Sequence, residues 1–416
     1  MTGAIIVRPQ PRAWLERSVL QPYVSAFEEH LDSGRYASST KRVYLCCVAH
    51  FARWLTRKNS RLTTINEKVV DKFVLGHLSR CRCPDPVRRV DYENKAALAR
   101  LLQVLRAKGA IPDRLSLSDH IGHELVQLDG HMHDVEGLAL NTRRQRCHII
   151  RRFLVKQFGA RPIELSKVDA SAVRRFVLGE DCDWTPGTIR AVSGAIACYL
   201  RFRGMSGDQV GQLMVAIPRA ANWSLASLPQ VFSDAEVEQL LRSFDRPFPS
   251  HRRAYAMVRC LTDLGLRCCE VVKLRLDDID WREGKICLTG TKTRRADTLP
   301  LPAVTGDAII AYLQNERPST VNRTVFVRHV APYDTPVHAG VVQRAVRDAY
   351  RRCGWTHSRV HVLRHTIASR LLRADASMKD IADVLRHRSL DTSAIYAKVD
   401  VNRLAAVALP WPGSAS

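Results

Sequence analysis

The stretch LRHRSLDTSAIYAKV, residues 385–399, decides how the rest of the chain is read. It places His387 nine residues ahead of Tyr396, with Thr392 and a run of small and apolar side chains between them. A lone tyrosine near a helix end is ordinarily a packing residue. A tyrosine that acts as a nucleophile has a further requirement: with an unperturbed pKa of about 10, its hydroxyl needs a neighbour to take the proton and a cationic surrounding that favours the phenolate. Candidate groups of both kinds lie earlier in the chain than Tyr396.

Two more charged segments precede it. In HVLRH, residues 361–365, His361 and Arg364 are three apart and fall on one side of a helix, while Leu363, Ile367 and Leu371 point to a core. Taken alone this is also a pattern of charged helix surfaces. In LTDLGLRCCEVVKLRLDDIDW, residues 261–281, Gly265, Leu266 and Arg267 are followed by Glu270. Arg267 by itself reads equally as a surface arginine. Between them, GKICLTG at 284–290 and DTLPL at 297–301 are two short strands joined by a basic turn, a hairpin carrying Lys292, Arg294 and Arg295. A third strand is expected at TVFV, 324–327.

In this order, the three boxes and the hairpin resemble the tyrosine recombinase (phage integrase) family over roughly residues 233–400. The resemblance implies that Tyr396 is the nucleophile and that Arg267 and Arg364 clamp the scissile phosphate. It makes His361 the base, His387 a hydrogen-bond donor to the phosphate, and Lys292, counted back from Pro300, the proton donor to the leaving 5′ oxygen. Where the family usually has glycine before the second histidine, this chain has Arg386, a departure that bears on the turn. The set suits phosphoryl transfer: charge develops on the non-bridging oxygens, and two arginines offer it bidentate, permanently charged clamps. A 3′-phosphotyrosyl intermediate conserves the bond energy, so no metal and no other cofactor is implied. The chain has neither a Walker-type phosphate loop nor an acidic cluster suited to two-metal cleavage.

Composition agrees with a nucleic-acid partner. At 416 residues, 46% hydrophobic and 25% charged, the chain is long enough for two or three domains with their own cores. Its net charge of +23 is spread along the whole length, which points to a polyanion. Twelve cysteines are scattered, with adjacent pairs at Cys46, Cys47 and at Cys268, Cys269 that do not suit a disulfide framework. No secretory signal or membrane-spanning run is read, so a reducing cytoplasm is expected. His77, Cys81 and Cys83 resemble zinc ligands, but a second well-spaced pair is missing and no metal is expected there.

The N-terminal half repeats itself. STKRVYLCCVAHFARWL from Ser39 and NTRRQRCHIIRRFLVKQF from Asn141 each lead, after a polar break, to the tetrapeptide FVLG, at 73–76 and 176–179. Another apolar-periodic helix follows each, ending at Gly109 and Gly204, which reads as a duplicated helical module. Ser39 and Asn141 are expected N-caps. The shared starts, Thr40, Lys41, Arg42 and Thr142, Arg143, Arg144, together with Arg190, are expected DNA contacts at helix N-termini.

The expected architecture is multidomain: mainly α, SAM-like helical DNA-binding modules followed by an α+β catalytic domain with a small sheet. Residues 1–125 form an extra helical module, 126–222 the core-binding domain, 223–232 the linker and 233–416 the catalytic domain, opened by a capping box at Ser233 and Glu236. Further caps are expected at Ser377 and Ser389. The partner is double-stranded DNA, with a homo-oligomer, a tetramer on synapsed duplexes by family analogy, and no membrane; accessory recombinases or directionality factors stay open. The apolar tail at 404–412 either packs on its own domain or docks on a neighbouring protomer. Two rivals also stay open: a type IB topoisomerase-like relaxing enzyme, and a catalytically silent DNA-binding regulator.

Overall fold

A computed structural model describes residues 9–111, 120–179, 184–219, 229–288, 297–357, 359–386 and 394–397. In chain order the helices are α1 (Pro9–Glu16), α2 (Val24–Ser33), α3 (Ser38–Arg57), α4 (Glu67–Asp71), α5 (Asp91–Ala107), α6 (His120–Asp134), α7 (Leu140–Phe158), α8 (Ala170–Leu178), α9 (Pro186–Met205) and α10 (Gly211–Val215). They continue with α11 (Asp234–Arg242), α12 (His251–Asp263), α13 (Cys268–Val271), α14 (Ala303–Asn315), α15 (Ala339–Arg352), α16 (His361–Arg373), α17 (Met378–Val384) and α18 (Ala394–Ala397). The strands β1 (Ile279–Asp280), β2 (Lys285–Leu288) and β3 (Asp297–Pro300) lie between α13 and α14. The chain divides into two compact units, one of residues 1–59, 72–101 and 225–416, the other of 60–71 and 102–224.

The second unit is a helical bundle. Its core gathers Leu125, Leu128 and Met132 of α6, Ile150, Phe153 and Leu154 of α7, Val173 and Val177 of α8, and Ile196, Tyr199 and Leu200 of α9. A polar network sits inside it. The Tyr199 hydroxyl donates to Glu124 over 3.0 Å, and Arg203 donates to Glu124 over 2.9 Å and to Asp208 over 2.6 Å. Burial, then the Glu124 carboxylate, pushes the Tyr199 phenol far up, so it stays a donor.

In the first unit α11 opens where the sequence places it. Ser233 Oγ accepts from the Glu236 amide at 3.2 Å and the Glu236 carboxylate accepts from the Ser233 amide at 2.7 Å. Phe232 before the cap and Val237 after it are both buried in the same core, a hydrophobic staple on the capping box. Ser377 caps α17 in the same way with Asp380; Ser389 lies outside the described residues.

The sheet is antiparallel in the order β1, β2, β3, with Ile286 opposite both Ile279 and Leu299. The expected hairpin is therefore present, but the third strand is not the expected one. Residues 324–327 make only isolated bridges, Thr324 to Arg275 and Val327 to Pro336. Val325, Phe326 and Val327 are all fully buried, so this segment crosses the core and bonds to turns on either side of it instead of lying along the sheet.

The repeat in the N-terminal half reappears as long helices of matching position, α3 of 20 residues and α7 of 19. The expected caps are corrected. The helices begin one residue before Ser39 and Asn141, the N-cap positions are Ala37 and Ala139, and neither cap makes a side-chain hydrogen bond. The two FVLG tetrapeptides also diverge. In the second copy Gly179 ends α8 in the left-handed region at φ 69°, whereas in the first the chain runs through a π-turn over Lys72–His77.

Candidate active site

Gly265 is the hinge on which the site is built. It follows α12 at φ +60°, a left-handed conformation costly for side-chain-bearing residues, and a Cβ there would stand 2.8 Å from Leu385 Cδ2. That turn brings the Gly265 carbonyl to the guanidiniums of Arg364 and Arg386, both of which donate to it. Two residues on, Arg267 caps α13. Its amide donates to Glu270 Oε2 over 2.8 Å and its guanidinium to Glu270 Oε1 over 2.7 Å, while its other arm reaches the Arg386 carbonyl at 3.2 Å.

Arg386 occupies the position where glycine was expected by resemblance, and it keeps glycine's conformation with φ +53°. Its side chain turns inward, buried, and donates to Glu270 Oε2 over 2.9 Å. Its carbonyl neighbour, Leu385, accepts from Arg364. Two guanidiniums thus pair with one buried carboxylate, and Arg364 is held next to them by the Gly265 and Leu385 carbonyls. Burial alone raises the Glu270 carboxyl, but Arg386 and then Arg267 outweigh it and hold it below the usual range. Burial, followed by repulsion from Arg267 and Arg386, pushes Arg364 down to about 9. The cluster carries more positive than negative charge in a desolvated place, which an anion would relieve.

Helix α16 supplies the remaining groups from one face. His361, Arg364 and His365 stand at spacings of three and four, which in a helix are neighbours. Burial and then Arg364 lower the His361 pKa; burial, His361 and Arg364 lower that of His365. Both imidazoles are therefore neutral near pH 7. The Tyr396 hydroxyl of α18 lies 2.9 Å from His365 Nδ1. Burial raises its pKa, opposed by Arg364 and Arg267, so the phenol donates and the imidazole accepts. The Tyr396 ring is buried among Ile367, Leu372, Ile381 and Leu385. Beside this cluster a cavity of about 490 Å³ is lined by Arg267, His361, Arg364, Gln343 and Arg347 among others.

The structure brings Arg267, His361, Arg364 and Tyr396 to one place; Lys292, Arg294, Arg295, Thr392 and His387 lie outside the described residues. Two participants were missed by sequence reading. His365 could have been found as the position four after His361, on the same helical face. Arg386 was read only as a turn substitution; its ion pair with a glutamate 116 positions earlier leaves no local trace.

The expected DNA-contact residues stand on the first turns of α3 and α7 and on α9. Lys41 is ion-paired with Asp32 of α2, and Arg143 with Asp129 of α6 at 2.6 Å. These two side chains thus brace the preceding helix in each copy. Thr40 and Thr142 are half-buried, and Arg42, Arg144 and Arg190 are exposed.

The cavity is thus lined by the buried Arg364 and the half-buried Arg267, and the imidazole next after Arg364 in α16 is hydrogen-bonded to the Tyr396 phenol. The sequence profile of the Phage integrase family matches residues 230–403. The candidate integrase/recombinase y4rA of Sinorhizobium fredii is 36% identical over 399 residues, 94% of this chain and 95% of that one. The tyrosine recombinase XerA of Thermococcus kodakarensis is 26% identical over 272 residues, 65% of this chain and 89% of its own. Among solved structures, XerH site-specific recombinase bound to a palindromic difH substrate shares the fold with a TM-score of 0.52 at 16% identity, covering 88% of this chain and 95% of that chain. A lambda integrase dimer bound to a core site gives 0.51 at 15% identity, covering 66% and 94%. The chain belongs to the phage integrase family of tyrosine recombinases. No helix among the described residues is long and apolar enough to cross a membrane.

Proposed function

We propose that this recombinase cuts and rejoins double-stranded DNA at a specific site through a 3′-phosphotyrosyl bond to Tyr396. The observation that carries the reading is the meeting of Arg267, Arg364 and His361 at one cavity, with the Tyr396 hydroxyl in the field of both arginines and bonded to a neutral imidazole. The scissile phosphate occupies the cavity, where Arg267 and Arg364 hold its non-bridging oxygens and stabilise the charge that develops on in-line attack. His365 takes the phenol proton as Tyr396 attacks, and His361 bonds the phosphate. The 5′ oxygen leaves as a hydroxyl, with Lys292 on the β2–β3 hairpin as its proton donor and His387 as a further phosphate ligand. The released 5′-hydroxyl then attacks the phosphotyrosine of another strand, and the ester exchange balances without nucleotide hydrolysis.

In the same reading the α6–α10 bundle serves as the core-binding domain, and Arg42, Arg144, Arg190, Arg294 and Arg295 contact phosphates. Strand exchange between two duplexes calls for a homo-oligomer, a tetramer on synapsed DNA. The test is a nicked suicide duplex carrying the recombination site, incubated without added magnesium. A covalent protein–DNA adduct mapped to Tyr396 is expected, and Tyr396→Phe should give none. Adduct formation by that variant, or a strict need for magnesium, defeats the mechanism. Relaxation of supercoiled DNA by a monomer with no preferred site would instead favour a topoisomerase-like activity.

A further inference from the structure

Four side chains in the N-terminal part of the first unit converge far along the chain from the strand-transfer boxes. His50 of α3, His77 at the end of the π-turn, and Cys81 and Cys83 just beyond it bring one ligand atom each to a common point, all four within 4.8 Å of one another. His50 Nε2 is 3.2 Å from His77 Nε2 and 3.3 Å from Cys81 Sγ, and Cys83 Sγ is 3.7 Å from His77 Nε2. Zinc bonds of about 2.0–2.1 Å to nitrogen and 2.3 Å to sulfur at tetrahedral angles put ligand atoms about 3.3–3.8 Å apart, and the three closest separations here, 3.2, 3.3 and 3.7 Å, lie within about 0.1 Å of that range. Local spacing offers only His77, Cys81 and Cys83 as ligands. A fourth group, His50, arrives from α3, 27 residues earlier than His77.

The cluster is crowded about one imidazole nitrogen. His50 Nδ1 lies 3.4 Å from the Arg88 carbonyl, so Nδ1 carries the proton and Nε2 has a single lone pair. Two polar atoms, the His77 nitrogen and the Cys81 sulfur, nevertheless crowd that one lone pair at hydrogen-bond distance. A cation at the centre relieves the conflict, and the Nδ1–H to carbonyl bond is the kind of outer contact that orients a metal-binding imidazole. The Cys83 amide also points to Cys81 Sγ at 3.4 Å, a donor suited to a thiolate.

The surroundings need such a tie. Residues 81–90, CRCPDPVRRV, contain neither helix nor strand, and Cys83 is the only buried side chain among them. A segment of this length with no apolar anchor does not offset its ordering entropy by burial. The imidazoles are walled by Phe73, whose ring meets His50 edge-on at 5.1 Å and stacks on His77 at 5.4 Å. Two thiolates also make the loaded site neutral, which suits a basic chain.

We propose that His50, His77, Cys81 and Cys83 form a structural, tetrahedral zinc site that fastens the 81–90 segment to α3. A set of two thiolates and two imidazoles with no open position selects zinc over hard cations. The test uses the full chain, without an affinity histidine tag, purified in the absence of chelators and analysed by elemental mass spectrometry. One zinc per chain is expected. Replacement by cobalt(II) should give the intense visible bands of a tetrahedral thiolate site. Cys81→Ser/Cys83→Ser should hold roughly tenfold less zinc or lower still, while Cys147→Ser and Tyr396→Phe keep it. His77→Cys guards against misfolding: it should retain the metal and shift the cobalt bands toward those of a three-thiolate site. Folded chain that purifies metal-free and gives no cobalt bands on anaerobic reconstitution overturns the proposal. So does zinc that persists in the double cysteine variant.

Discussion

At Arg386 a residue that strains the backbone is kept by what its side chain does. A positive φ costs a non-glycine residue about 1–2 kcal/mol, yet the guanidinium is one of two that neutralise the buried Glu270. Removing one partner of such a pair costs about 3–5 kcal/mol, so the side-chain interaction outweighs the backbone strain. The same desolvated cluster sets the histidines. Because the His365 pKa is lowered below the ordinary 6.5, its neutral, proton-accepting form prevails at pH 7 and is lost only as pH falls through that lowered value. Adduct formation should therefore be flat around neutrality and decline only at a pH below the ordinary imidazole value of about 6.5. His365→Gln should slow single-turnover cleavage by roughly 10²–10⁴ and flatten that acid limb. A variant that keeps the limb unchanged would move the proton-accepting role to His361.

At the scale of elements, the site depends on how three short pieces of chain are joined. The turn after α12, the N-terminal half of α16 and the end of α17 meet at the Gly265 and Leu385 carbonyls, where Arg364 is held. Gly265→Ala would add both a strained φ and a Cβ 2.8 Å from Leu385 Cδ2. It should cost about 1–3 kcal/mol, seen as an earlier unfolding midpoint in urea, with a larger fractional loss of covalent adduct than of DNA binding, because Arg364, which donates to that turn's carbonyl, is displaced, while Arg42, Arg144 and Arg190 stand on other helices, α3, α7 and α9. Equal loss of both would show that the turn supports only folding. In the N-terminal half the duplicated helices carry a related lesson. Lys41 and Arg143 lie at equivalent places and both pair with an aspartate of the helix before, so the exposed Arg42 and Arg144 are the better candidates for phosphate.

For the whole molecule the decisive quantity is charge. A net +23 distributed along 416 residues gives a field favourable to DNA at every step of approach, and each phosphate neutralised releases counterions. Binding to a duplex lacking any recombination site should weaken by roughly 10³–10⁵ between 50 and 200 mM salt, measured by fluorescence anisotropy. A shallow dependence would mean that most of the basic residues are occupied within the protein, as Lys41 and Arg143 are.

Local order was legible in the sequence. The capping boxes at Ser233 and Ser377, the β2–β3 hairpin, the helical spacing of His361 and Arg364 and the three boxes in their order follow from residues close together in the chain, where the rules of turns, caps and periodicity act. What needed the tertiary structure are the meetings across long separations: Arg386 with Glu270, Tyr396 with His365, and His50 with His77 and the two cysteines. So did the passage of 324–327 through the core instead of along the sheet. These depend on which desolvated polar groups find each other once the helices pack, and a buried charge or a shared lone pair is satisfied by proximity in space, which the order of residues alone does not encode.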